Sequence, residues 1–367
     1  MQPAKPFSLL YTGKVSGTSR QRQDKRARFC TFVQQPSRLK GMSEVSPDLL
    51  AEVATLYFEH DFTQAKIAKR LGTSRSTVSR LLKQARESGV VSIRITYPYA
   101  RDSLLETQLL ERFGLRAVRV LRGGTRTADE VLNGAGKLAA RLLEDLIGGG
   151  MILGVSYGRS IAATIRNLEP AGPQELTVVQ LLGALGSDNP LIEGADLARE
   201  LAGKYNATYR YLYAPLVAKD PRTRDLIVSE PLVKDVLSVG EQADIALVGI
   251  GALQELRAGA GPSFIWKGYL SESDLRWLEQ AGAVGNMCAQ FFAADGSVLE
   301  HSLNERSISV GLAALKKIPT VLSVACGQHK VAAILGALRG RFTDILVTDN
   351  KTAAGVLDLS KGLDLAS

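Results

Sequence analysis

The chain has 367 residues, with 45 Lys and Arg against 37 Asp and Glu, 45% hydrophobic residues and 6% aromatic, which excludes a disordered, collagen-like or disulfide-scaffold protein and fits two or three globular domains. Its longest uncharged stretch, residues 280–294, is 15 residues long and contains glycine and asparagine, short of the roughly 18 to 20 apolar residues of a membrane span, so no membrane partner is expected. Three cysteines, Cys30, Cys288 and Cys326, stand far apart without a CxxC pair, which suggests neither a disulfide framework nor a thiolate metal site and fits a reducing, cytoplasmic setting.

The net charge of +8 is local: residues 1–41 hold nine Lys or Arg and one acid, Asp24, residues 42–97 hold eight basic and six acidic side chains, and residues 98–367 hold 28 and 30. Residues 1–41 show no sustained period of 3.6 or 2 and read as a disordered basic tail. Two expectations stand side by side: nonspecific attraction to DNA phosphates, or an extension ahead of a true start at Met42.

From Ser46 onward Leu49, Leu50, Val53, Leu56 and Tyr57 recur at helical spacing, predicting a first helix that ends near His60. Thr63 is a good N-cap for a second helix over residues 64–71, whose inward positions are Ala65, Ile67, Ala68 and Leu71, and Gly72 ends it. Ser74 caps a third helix over residues 75–88, with Val78, Leu81, Leu82 and Ala85 inward, and the alternation of Val91, Ile93 and Ile95 predicts a short strand after it. Small Ala68, Gly72 in the tight turn and apolar Val78 and Leu81 are the pattern of a helix-turn-helix, here winged-helix-like. That leaves Gln64, Ser74, Arg75, Ser76, Thr77, Ser79, Arg80 and Lys83 as candidate DNA contacts, because short polar and cationic groups near a helix N-terminus reach base edges and phosphates in a major groove. An ordinary helical bundle with a solvated basic face is the plainer alternative.

Beyond Pro98 apolar runs near residues 117–121, 151–155, 177–182, 245–249, 320–325 and 345–348 alternate with helical patterns such as 132–147 and 194–204. Continuous apolar strands joined by helices predict an α/β domain with a mostly parallel sheet covered on both faces. The domains expected are therefore a tail over 1–41, a helix-turn-helix domain over 42–97 and a larger α/β domain over 98–367.

The sharpest motif of the large domain is GVSYGRS at 154–160, between a predicted strand and a helix. A glycine turn, helix-start N–H groups, two hydroxyls and one guanidinium suit a phosphate cradle. The same residues spell GxSxG, a nucleophile elbow with His301 or His329 as possible base, and a plain packing turn is a third reading. Against the hydrolase, the turn comes early in the domain and no HGGG-type segment is visible. A second strand runs into CGQHK at 326–330, which puts Lys330 where open α/β folds place ligands. The histidines, His60, His301 and His329, lack metal-ligand spacing, and Phe291, Phe292, Trp266 and Trp277 read as packing residues.

With these motifs in hand the stretch 46–365 resembles the SorC family of sugar-responsive bacterial transcription regulators, within the DeoR-like group. The resemblance runs through TQAKIAKRLGTSRSTVSRLLKQARESGVVSI (63–93), GVSYGRS (154–160), ADIALVGIGAL (243–253), GAVGNMCAQFFAADG (282–296), ACGQHKVAAILGALRG (325–340) and DILVTDNKTA (344–353). It implies a domain similar to the sugar-phosphate isomerase fold that binds a phosphorylated sugar or polyol without catalysis or cofactor, operator DNA as partner, and a homotetramer or dimer of dimers. Carried over by position, the phosphate turn falls on Gly154, Ser156, Tyr157, Gly158, Arg159 and Ser160, and the cationic helix start on Lys330. Asn286 and Ala293 stand where acids are common in the family, so hydroxyl recognition passes to a neutral amide at Asn286. Lys267 and Asp349 are expected at the rim. The competing expectation is a sugar-phosphate isomerase or hydrolase with an attached DNA-binding head.

Overall fold

The computed structural model describes residues 46–91, 100–170, 172, 175–186, 193–258 and 269–364, and the chain divides into two compact units with the boundary after Tyr97. Among the described residues each helix of the first unit starts on a hydroxyl cap. Ser46 accepts from Leu49 N–H at 3.3 Å before α1 (Pro47–Phe58), Thr63 from Lys66 N–H at 3.2 Å before α2 (Gln64–Arg70), and Ser74 from Thr77 N–H at 3.1 Å before α3 (Arg75–Glu87). Each cap satisfies a backbone donor that the helix itself leaves open. Gly72, at φ 62°, supplies the left-handed residue that lets α2 stop and α3 begin. Ile67 and Ala68 of α2 and Val78, Leu81, Leu82 and Ala85 of α3 close on Leu50, Val53, Ala54 and Leu56 of α1. Ala65, expected inward, is exposed; α2 is only seven residues long and buries a narrow stripe. The strand expected through Ile93 and Ile95 falls outside the described residues.

The second unit is built on a seven-stranded parallel sheet in the order β1 (Ala117–Leu121), β10 (Ile345–Asp349), β9 (Thr320–Val324), β5 (Ile245–Gly249), β2 (Met151–Val155), β3 (Leu176–Gln180) and β4 (Thr208–Arg210). The helices follow in chain order as α4 (Ser103–Phe113), α5 (Ala128–Leu146), α6 (Arg159–Arg166), α7 (Gly194–Tyr205), α8 (Pro221–Ser229), α9 (Pro231–Glu241), α10 (Leu253–Ala258), α11 (Glu272–Gln280), α12 (Ser302–Arg306), α13 (Leu312–Leu315), α14 (Val331–Arg339) and α15 (Asn350–Asp364). Strand alternation splits the core in two. Ile245 and Leu247 join Leu138 of α5, Ile161 of α6 and Leu201 of α7 on one face, while Ala246 and Val248 join Leu109 of α4, Val236 of α9, Ile334 of α14 and Val356 of α15 on the other. Strands covered on both faces need no polar side, hence the continuous apolar runs in the sequence.

From β2 the chain steps outward through β3 and β4, and from β5 it steps the other way through β9 and β10. The direction of winding therefore reverses between β2 and β5, and at such a reversal the loops leaving neighbouring strands part to open a crevice at the carboxyl edge. This doubly wound α/β architecture agrees with the expected fold class and is compatible with a sugar-phosphate isomerase fold.

A second sheet, β6 (Gly251–Ala252), β7 (Ala283–Met287) and β8 (Gln290–Ala293), is antiparallel. It was not foreseen, and the reason is local. Its β7–β8 hairpin turns on Cys288 at φ 45° and Ala289 at φ 62°, a turn that ordinarily announces itself with Asn-Gly or Gly-Gly. The uncharged stretch 280–294 contains this hairpin.

Helices α5 and α6 pack closely at Gly136, where an added Cβ would lie 2.6 Å from the backbone carbonyl carbon of Ala163. Backbone cannot yield as a side-chain tip can. Gly136→Ala is expected to destabilise the chain by about 1–3 kcal/mol through overpacking, read as a lower urea midpoint at unchanged slope.

Candidate functional site

In the first unit Ser74, Arg75, Ser76, Ser79, Arg80 and Lys83 are exposed, with Gln64 and Thr77 half-buried. The exposed set lies opposite the buried stripe of α3, leaving a polar, cationic face free to approach a duplex. Its hydroxyls are not equivalent. The Ser74 Oγ that caps α3 also lies 2.7 Å from Ser76 Oγ and 2.9 Å from Thr77 Oγ1, so the other two hydroxyls are already engaged with it. Among the described residues Arg75, Ser79 and Arg80 have no side-chain hydrogen bond or ion pair, and Lys83 leans on Glu87 at 3.7 Å across an exposed i,i+4 pair.

In the second unit the carboxyl ends of the strands on either side of the reversal surround a cavity of about 310 Å³. Ser156 to Ser160 enter it after β2, Gly249 and Ile250 after β5, Cys326 to Lys330 after β9, Asp349 to Lys351 after β10, and Gly123 and Gly124 after β1; Asn286 and Cys288 come from the small sheet. The sequence-predicted Ser156, Tyr157, Gly158, Arg159, Ser160, Asn286, Lys330 and Asp349 are thus brought together.

Gly154 is not among the lining residues. It sits within β2, where a Cβ would lie 2.6 Å from a Leu181 methyl, so its smallness serves packing rather than anion approach. Lys267 lies outside the described residues.

Two loops shape the floor. Gly158 (φ 114°) precedes α6 and Gly327 (φ 113°) precedes a 3-10 turn over Gln328–Lys330, and neither start carries a side-chain cap. The first N–H groups of each start have no intrahelical acceptor, and Arg159, Ser160, Gln328 and His329, which carry them, line the cavity, an arrangement suited to anions. Ser156 Oγ accepts from Gly249 N–H at 3.3 Å, tying the first loop across the reversal. Asp349 ties the second: its Oδ2 accepts from Gly327 N–H at 3.0 Å and Thr352 Oγ1 at 2.5 Å, and its Oδ1 from Lys351 and Thr352 N–H at 3.1 Å each. The expected rim ligand is therefore a buried anchor whose lone pairs are occupied by its own loop.

The cations also differ from the simple expectation. Arg159 pairs outward with Asp129, an exposed contact of the kind worth at most about 1 kcal/mol and readily exchanged for a ligand oxyanion. Lys330 is not an open cation. Its Nζ donates to the Ile250 carbonyl at 2.7 Å and sits 3.2 Å from Glu255 Oε2, while His329 Nε2 lies 3.0 Å from Glu255 Oε1. Burial pushes the Glu255 carboxyl up, but the Lys330 charge, the Ala252 N–H bond and His329 outweigh it and hold the group below the ordinary glutamate range. Glu255, Arg126, Lys351 and the Gly123-Gly124 turn were missed from sequence; the RGGTR run directly after β1 was the available signal for two of them, whereas Glu255 looked like an ordinary acid in a helix's first turn.

The remaining polar groups suit neutral hydrogen bonding. Asn286 is 6% exposed, and among the described residues its amide has no hydrogen-bond partner. Burial raises the Tyr157 phenol, raises Cys326 and lifts Cys288 to about 12, so all three stay protonated at neutral pH. No histidine partners Ser156 among the described hydrogen bonds; His301 instead stacks on Trp277 with centroids 3.9 Å apart and caps α12 through Nδ1.

Comparison with known proteins gives a consistent picture. A family model described as "Putative sugar-binding domain" matches residues 97–358, and the sigma-70 region 4 model matches 47–88. The chain is 32% identical over 313 residues to the sorbitol operon regulator of Klebsiella pneumoniae, covering 83% of this chain and 96% of that protein. It is 29% identical to the deoxyribonucleoside regulator of Bacillus subtilis (strain 168), covering 86% and 99%, and 33% identical to the transcriptional regulator LsrR of Escherichia coli (strain K12), covering 87% and 96%. The crystal structure of the full-length sorbitol operon regulator SorC from Klebsiella pneumoniae superposes with a TM-score of 0.64 at 31% identity, over 85% of this chain and 99% of that one. A helix-turn-helix unit and a sugar-binding α/β domain in one chain define a ligand-binding transcriptional regulator rather than an enzyme. The chain belongs to the SorC family of sugar-binding transcriptional regulators.

Two substitutions test the local assignments. Ser74→Ala should cost the helix-turn-helix unit about 1 kcal/mol through its lost cap, measured by thermal unfolding. Asp349→Asn, which cannot accept on both side-chain atoms, should destabilise the second unit by about 1–3 kcal/mol; an unchanged melting curve would remove Asp349 from the anchoring role.

Proposed function

We propose that the chain controls a carbohydrate or polyol catabolic operon and that its effector is a phosphorylated sugar or polyol held in the cavity at the β2/β5 reversal. The observation that carries this reading is the meeting of two uncapped helix starts, a Gly-Gly turn and the cations Arg126, Arg159, Lys330 and Lys351 around one cavity that also presents the Asn286 amide, unpartnered among the described residues. Cations and open N–H groups around one cavity suit a phosphate, and a buried amide suits hydroxyls. The relatives' names, a sorbitol operon regulator and a deoxyribonucleoside regulator, point to the same chemistry.

In this reading residues 42–97 are the DNA-binding domain, residues 98–367 sense the effector and oligomerise, and residues 1–41 are a basic tail. A dimer or tetramer places pairs of α3 helices on a palindromic operator, with half-site spacing set by protein symmetry. Arg75, Ser79 and Arg80 make the informative contacts, with Gln64, Ser76, Thr77 and Lys83 supporting them. An effector that prefers one arrangement of the oligomer shifts the balance between tight and weak DNA binding. The isomerase or hydrolase alternative is not favoured: Ser156 has a backbone N–H where a hydrolase needs a base, and both cavity thiols are held protonated.

Arg80→Ala is expected to weaken operator binding by about 1–3 kcal/mol and relax base preference while leaving effector binding intact. Wild-type affinity and preference in that variant would contradict the α3 assignment. A melting-temperature screen is expected to show stabilisation by a sugar or polyol phosphate and none by the unphosphorylated parent compound.

A further inference from the structure

We infer that Glu255 is a specificity-determining residue of the effector cavity: by engaging Lys330 and His329 it withholds that cation from bare anions and reserves the site for a molecule that brings hydroxyl groups together with its phosphate. The inference rests on the effector reading above and adds the residue that sets its selectivity.

Three observations carry it. The Glu255 and Lys330 side chains are each 17% exposed, whereas Arg159 and Asp129 are 47% and 81% exposed; solvent and salt screen the second pair far more than the first. An incoming oxyanion therefore takes Arg159 from its partner readily but meets Lys330 already neutralised. Glu255 is also held in place: its Oε2 accepts from Ala252 N–H at 3.2 Å as well as from Lys330, and its Oε1 faces His329. The carboxylate is thus fixed at the point where a phosphate on Lys330 would sit against a negative charge.

The third observation is the neighbour. β6 pairs with β7 so that Gly251 faces Asn286, and a Cβ at Gly251 would lie 2.7 Å from Asn286 Nδ2. Glycine at 251 leaves the amide its room, and α10 starts two residues later with Glu255 in its first turn. The lining of one cavity thus holds an amide that donates and accepts and a carboxylate that only accepts. A hydroxyl can donate to Glu255 and exchange both roles with Asn286, but inorganic phosphate, mostly an acceptor, can satisfy neither the carboxylate nor its own charge there. The phosphate end of a ligand is then left to the other cations of the lining, Arg159 and Lys351.

The test is calorimetric titration of the full-length protein with inorganic phosphate, using wild type, Glu255→Gln, Lys330→Met and the double variant. Glutamine keeps an acceptor for Ala252 N–H but carries no charge. Glu255→Gln is expected to bind phosphate about tenfold more tightly than wild type, with the gain lost in the double variant; melting curves verify that each protein is folded. Equal or weaker binding by Glu255→Gln, a gain that survives Lys330→Met, or no phosphate binding by any of the four overturns the inference. Should Glu255→Gln gain phosphate affinity while wild type binds no sugar phosphate, the effector reading fails and the restraint on Lys330 stands. The opposite pattern rejects Glu255 alone.

Discussion

Gly158 and Gly327 leave β2 and β9 with φ near 114° and 113°, and the chemistry of the large domain depends on that backbone conformation. Only a residue without a Cβ turns there without strain, and the residues that follow line the cavity with N–H groups that a helix start leaves without an acceptor. The two positions differ in what else they demand. A Cβ at Gly327 would meet the His329 ring at 2.5 Å, whereas at Gly158 nothing lies within 4 Å, so the first requirement is steric and conformational and the second purely conformational. Ser156 and Asp349 then hold these loops from beneath, one through Gly249 N–H and one through Gly327 N–H.

On that frame the cavity carries charge at two levels of commitment. Arg159 is exposed and loosely paired with Asp129, while Lys330 is partly buried and held by a carboxylate and a carbonyl. The neutral groups of the same cavity are the Asn286 amide, the Tyr157 phenol and the two thiols, and burial holds the last three in their protonated forms. A catalytic site poises a base or nucleophile near neutral pH; here the thiols and phenol move away from it. The cavity is chemically suited to recognising a molecule and releasing it unchanged, which accords with the chain's place among regulators.

Much of this was legible in the sequence, because it is local. The helix caps Ser46, Thr63 and Ser74 and the apolar stripes of α1 and α3 follow from neighbours three or four residues apart, and the parallel strands follow from uninterrupted apolar runs. The GVSYGRS turn announced itself by glycine, hydroxyls and position after a strand. What escaped depends on tertiary placement. Gly154 belongs to the same motif yet serves Leu181, which lies in the next strand's loop; the pairing of Lys330 with Glu255 joins residues 75 positions apart; and the β7–β8 hairpin turns on Cys288 and Ala289, residues that carry no turn signal. Asp349 shows the subtlest case: its place at the cavity was readable, but its saturation by four donors was not.

The two units communicate only if the effector's affinity depends on whether the first unit is holding DNA, and linkage makes that dependence reciprocal. The most direct measurement is therefore a four-part cycle on the full chain: effector affinity with and without operator duplex, and operator affinity with and without effector. The account predicts that each affinity changes by the same factor, by about 5- to 150-fold, and that the change vanishes with random-sequence duplex. An effector that binds equally well in the presence and absence of operator would contradict it.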